Sequence, residues 1–253
     1  MICMLLASVG TYLRNLPIAD LPQGSRDERI FRKKALQMEK KGEFHQAAKC
    51  YLHLKEVDKA AGMLIAANEP LKAADLYVEY GQPDKAIELL LKIHRYERAA
   101  EIFEERGEYL QAAKLYHKQK NFRKAGENFE KTKRLKEALA CYYQIRDFEK
   151  IAEIYLSQNR LADAAAAYEQ AYTYRKQLRA GKDTGPEEEE VEIALLAKAA
   201  RLYLENNAHE KAGRLFAQVG DHENAGKAFL LANRLEEAAE AFVKCNELEE
   251  AIR

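Results

Sequence analysis

Small and large apolar residues recur along this chain at a fixed step of 13. From Ala47 the step lands on Ala60, Ala73, Ala86, Ala99, Ala112, Ala125 and Ala138, and continues through Ile151 and Ala164. Four residues after each reference position stands a large apolar or aromatic residue: Tyr51, Leu64, Tyr77, Leu90, Phe103, Tyr116, Phe129, Tyr142, Tyr155 and Tyr168. Three before it the side chain is again mostly large, as at Phe44, Tyr96, Tyr109, Phe122 and Phe148. Offsets of −3, 0, +3 and +4 fall on one stripe of an α-helix. Each unit therefore predicts one short amphipathic helix.

Position +8 predicts where each helix stops. It holds Gly42, Asn68, Gly81, Gly107 and Asn159, residues that accept the left-handed conformation just past a helix end. Elsewhere it holds Lys55, His94, Lys120, Lys133 or Arg146, whose positive charge suits the negative end of the helix dipole. The spacing predicts helices of about 10 residues joined by turns of about three. Helices this short persist only by stacking on their neighbours. In that stack the alanine methyl lets two helix axes approach, and the +4 side chain fills the space between layers.

A weaker alternation doubles the period to 26. Units at 47, 73, 99, 125 and 151 carry a small residue at +1 and an aromatic at +4, whereas the units between admit Ile87 and Leu139 at +1. This predicts two helix types paired as antiparallel hairpins. The expected fold is all-α, a right-handed α-α superhelix (solenoid) of 13-residue units paired as 26-residue hairpins.

The phase breaks once. Leu161 to Ala180 reads as helix with no stop, followed by the loop Ala180 to Pro186 and by Glu187–Glu190. Proline at a first helical position followed by carboxylates marks a helix start. The step resumes at Ala199, Ala212, Ala225, Ala238 and Ala251, with Tyr203, Phe216, Phe229 and Phe242 at +4. The expected organisation is an apolar N-terminal segment and linker over 1–26, a first repeat block over 27–164, a long-helix hairpin over 165–198 with its loop at 180–186, and a second block over 199–253 that continues beyond the chain end. The apolar part of 1–26, Met1 to Leu13, lacks the basic start of a signal peptide and is too short to span a bilayer.

Fragments such as Ala73–Leu90 (AADLYVEYGQPDKAIELL) and Ala99–Tyr116 (AAEIFEERGEYLQAAKLY) resemble tetratricopeptide repeats in their order of small, aromatic, glycine and alanine positions. The 26-residue hairpin is shorter than that family's 34-residue unit, and the chain has no tryptophan. In that respect it is similar to the α-solenoids of clathrin heavy chain, coatomer and intraflagellar-transport proteins. The resemblance implies protein–protein scaffolding, covers about Phe31 to Arg253, and carries over no functional residue.

Composition changes this picture little. The chain has 253 residues, 47% of them hydrophobic, and Lys+Arg equals Asp+Glu at 41 each. That balance gives no global drive toward nucleic acid or an anionic membrane. Cys3, Cys50, Cys141 and Cys245 stand far apart and read as reduced thiols of a cytoplasmic protein. No phosphate-binding glycine loop, HExxH, GxSxG or zinc spacing occurs. No catalytic, cofactor or metal residue is expected, and no small-molecule substrate. The charge is nevertheless uneven. Nine Lys or Arg lie between Lys114 and Lys136 against Glu127 and Glu130. Within that stretch Lys118, Lys120, Arg123, Lys124 and Lys133 are candidate partner contacts, and Glu187, Glu188, Glu189 and Glu190 are a second, acidic set. The expected partners are other proteins or peptide segments, with membrane contact only indirect or through the N-terminal segment. The reading is a non-catalytic interaction scaffold; its alternative is the regulatory or sensor region of a larger enzyme or transcription regulator.

Overall fold

The computed structural model describes residues 25–180 and 186–245. The N-terminal segment up to Gly24, loop residues 181–185 and the final unit from Asn246 lie outside them. The described residues form fifteen helices and no strand. In order these are α1 (Ser25–Lys40), α2 (Phe44–His53), α3 (Val57–Ala66), α4 (Pro70–Glu79), α5 (Pro83–Lys92), α6 (Tyr96–Glu105), α7 (Tyr109–Lys118) and α8 (Phe122–Lys131). They continue with α9 (Leu135–Gln144), α10 (Phe148–Ser157), α11 (Leu161–Arg179), α12 (Pro186–Glu205), α13 (His209–Gln218), α14 (His222–Leu231) and α15 (Leu235–Lys244). The chain divides into two compact units, Met1–Lys120 and Asn121–Arg253. Within each, every helix packs against the next, the architecture of a helical-repeat solenoid.

Apart from α11, the described turns obey the +8 column. Lys55, Asn68, His94, Lys120, Lys133, Arg146, Asn159, Asn207 and Asn233 have positive φ, as do Gly42, Gly81, Gly107 and Gly220. Beyond these left-handed residues, Lys120 apart, the next N–H reaches back to the carbonyl of the +4 residue: Gln82 to Tyr77 at 2.8 Å, Glu108 to Phe103 at 2.8 Å, Arg134 to Phe129 at 2.9 Å, Asp147 to Tyr142 at 3.0 Å. This is the long bond of the Schellman motif, and it closes orphan carbonyls at the helix end. So Lys55, Lys133 and Arg146 take the conformation usually left to Gly or Asn, its cost offset by that bond; Lys120 takes it as well. At the other end three helices of the second unit carry a side-chain cap, Asn121, Asp147 and Asp221 accepting from the N–H three residues on.

The core is the sequence stripe. The reference alanines from Ala47 to Ala138 are fully buried, as are Ala199, Ala212 and Ala225. The +4 rings have a defined seat. A Cβ added to Gly126 would lie 2.8 Å from the Tyr142 ring, one on Gly213 2.8 Å from Phe229, and one on Gly226 2.7 Å from Phe242. Each pair joins position +1 of one helix to position +4 of the next, so the ring of each helix occupies the gap left by the small residue before it. Several rings carry a polar tip. The hydroxyls of Tyr51 and Tyr116 donate to Glu39 at 3.0 Å and Glu104 at 2.8 Å, and Tyr142 donates to Glu130. Burial first, then the neighbouring carboxylate, pushes Tyr51 up to about 12 and moves Tyr116 and Tyr142 upward in the same way. These phenols stay protonated donors at any ordinary pH.

Ion pairs on the surface follow the doubled period. Arg32 pairs with Glu56, Lys85 with Asp58, Arg98 with Asp75 and Arg234 with Glu210. Each links helix n to helix n+2, or to the turn beside it, so alternate helices lie side by side as the 26-residue alternation expects. Cys50 and Cys141 are buried at +3, and burial pushes both thiols up, which makes them unreactive.

Candidate protein-binding surface

The missing stop in α11 is what shapes the surface of the second unit. The position that would end the helix, +8 from Ala164, is Tyr172, and the helix runs on to Arg179. The overrun brings Ala171, Tyr174, Arg175 and Leu178 alongside the turn between α9 and α10. Together they line a groove of about 450 Å³ that also includes Ile145 and Phe148. A second hollow of about 220 Å³ adjoins it and shares Arg146, Phe148 and Tyr174.

The groove is built from rings and charges in contact. Phe148 meets Tyr174 edge-on, ring centroids 5.9 Å apart at 76°. The Arg146 guanidinium lies over the Tyr174 ring, 5.4 Å from its centroid, a cation–π contact. Around them Arg123 pairs with Asp147 at 3.2 Å, Arg175 with Glu149 at 2.5 Å, and Lys150 with Glu153 at 2.6 Å. Pairs this exposed contribute little stability, roughly 0–1 kcal/mol each. Their effect here is to hold side chains along the rim.

The overrun is itself held by α12. Arg179 at the end of α11 meets Glu192 at 3.2 Å. Glu192 is only 4% exposed, a buried carboxylate that needs this partner. Leu195 and Leu196 are buried nearby in sequence, whereas Leu178, Val191 and Ile193 remain exposed.

The basic candidates fall in both units. Lys118 ends α7 in the first unit and stacks on Tyr96, 4.2 Å from its centroid. Lys120 is the left-handed residue that follows α7. In the second unit Arg123 is on the groove, Lys133 is the left-handed residue after α8, and Lys124 is half-buried in α8. Of the five, Arg123 alone lines the groove, which adds Arg146, Lys150 and Arg175 that the sequence pattern does not single out. Glu187–Glu190 are exposed in the first turns of α12, where carboxylates complement the helix dipole. Among the described residues no cluster of His, Cys, Asp and Glu could hold a metal ion, and no helix is long and apolar enough to cross a membrane.

Comparison with known proteins gives one family. The model of the family "Soluble NSF attachment protein, SNAP" matches residues 30–171. No curated protein matches the chain. Among solved structures, the crystal structure of BtubC (BKLC) from P. vanneervenii aligns at 17% identity over 98% of this chain and 90% of that one, with a TM-score of 0.19.

Proposed function

The chain belongs to the soluble NSF attachment protein (SNAP) family, and from that premise we propose that it is a non-catalytic adaptor that binds segments of other proteins in the cytoplasm. The observation that carries this reading is the family match itself, which runs from α1 into α11 across most of the first repeat block. The architecture supports it. Helices too short to stand alone present a long accessible surface, and repeat proteins use such surfaces for recognition. Reduced Cys50 and Cys141 suit a cytoplasmic setting. In this reading the blocks over 27–164 and 199–253 are scaffold, and the hairpin over 165–198 is the recognition element. Lys118, Lys120, Arg123, Lys124 and Lys133 are contacts to an acidic partner, and Glu187–Glu190 are contacts to a basic one.

Affinity purification of the intact gene product tests the proposal. The expected result is a protein partner in near-stoichiometric amount, released as salt rises because charged rims dominate its capture. Recovery of nucleic acid alone, or turnover of a small molecule by the purified chain with no protein retained, would remove the adaptor reading.

A further inference from the structure

The groove between the α9–α10 turn and the α11 overrun has a chemistry that selects its occupant. Its apolar lining is Ile145, Phe148, Ala171, Tyr174 and Leu178. Leu178 is 52% exposed, so a large apolar surface waits at the open side. Beside these stands Arg146, on a left-handed turn at φ 54 with its guanidinium over the Tyr174 ring. The other lining cations, Arg123, Lys150 and Arg175, each face a carboxylate of the groove itself. Arg146 instead meets a ring face, a contact that does not use its forked N–H donors.

We propose that this groove receives a short segment of a partner protein in which a large aliphatic or aromatic side chain stands next to a carboxylate. The apolar side chain lies against Phe148, Tyr174 and Leu178, and the carboxylate accepts from Arg146. The rim carboxylates Asp147, Glu149 and Glu153 accept the segment's backbone N–H groups. The same three carboxylates disfavour a nucleic acid, although rings beside arginine could otherwise stack bases: four cations against three anions leave a single excess charge for a chain of phosphates. The inference rests on the adaptor reading and adds the site and the chemistry of one contact.

A displayed library of random dodecapeptides, selected on the full chain, tests it. The expected outcome is enrichment of sequences with Asp or Glu beside Leu, Ile, Phe, Tyr or Trp. A fluorescent synthetic peptide of the enriched sequence should bind the full chain and lose affinity about tenfold or more with Arg146→Asn. Asparagine serves the same stop column at Asn68, Asn159, Asn207 and Asn233, so that variant keeps the turn while it removes the charge. Leu178→Glu, on an exposed position, should weaken the peptide at least as much, and Leu231→Glu, remote in sequence at 63% exposure, should leave it unchanged. Enriched peptides insensitive to Arg146→Asn and Leu178→Glu would overturn the groove while leaving the adaptor reading in place. So would failure to enrich any motif, or tighter binding of a dodecathymidylate than of the peptide.

Discussion

Tyr142→Ala is expected to destabilise the second unit by about 3–5 kcal/mol, the range for truncating a buried aromatic side chain. The Tyr142 ring is fully buried. Its face fills the gap over Gly126, its hydroxyl donates to Glu130, and its carbonyl accepts the N–H of Asp147 that closes the α9 turn. Alanine keeps the backbone bond and loses the rest. Tyr142→Phe separates the parts: the ring stays, one hydrogen bond goes, and the cost should fall to about 1 kcal/mol. Chemical denaturation of the full chain followed by helical circular dichroism measures both. A Tyr142→Ala cost no larger than that of Tyr142→Phe would show that the ring does not hold α8 to α9.

Gly126→Val approaches the same contact from the other side. Glycine in a helix interior is normally a weakness, and replacing it should gain up to about 1 kcal/mol in helix propensity. Here the added Cβ would stand 2.8 Å from Tyr142 Cζ and 2.9 Å from Cε1, closer than real side chains approach, so the ring or the helix must move. Overpacking of this kind costs roughly 1–3 kcal/mol, and with two further methyl groups behind the Cβ it outweighs the propensity gain. The two substitutions should not add. With Tyr142 cut to alanine the space above Gly126 is empty, and the introduced valine side chain would fill it. The double variant should therefore be more stable than the sum of the single effects by about 1 kcal/mol or more. Additivity in that cycle would mean the +1 and +4 columns do not meet.

Much of the fold is readable before any coordinates. The 13-step places the short helices of both blocks, because a short helix in a stack needs a small contact, a large filler and a stop at fixed phase. Two things escape that reading for physical reasons. The first is which helix a +4 ring fills. The stripe says that Tyr142, Phe229 and Phe242 are buried, but only packing shows each seated on the small residue 16 positions earlier. The second is the conformation at the cationic stops. At Lys55, Lys133 and Arg146 the charge suggests a dipole partner, whereas the backbone itself turns left-handed because the Schellman bond rewards it.

The groove is less legible. The lost stop near Tyr172 is visible as a break in the pattern, and it marks the region where the groove lies. Its makers are scattered through three parts of the repeat. Arg146 reads as a stop, Phe148 as a helix start, and Tyr174 falls outside the phase altogether. The basic cluster from Lys114 to Lys136 is dense in sequence, yet of its five candidates only Arg123 lines the groove. Glu192 looks like one more carboxylate of an acidic helix start, and only its burial against Arg179 sets it apart.

The central claim is that the regular columns build a scaffold and the broken repeat does the binding. Amide hydrogen exchange on the chain, with and without its affinity-purified protein partner, addresses that claim most directly. Bound partner should slow exchange at least several-fold in the α9–α10 turn, the first turn of α10 and the overrun 171–179, while amides around the reference alanines keep their rates. Exchange unchanged in those three segments with the partner bound would contradict it.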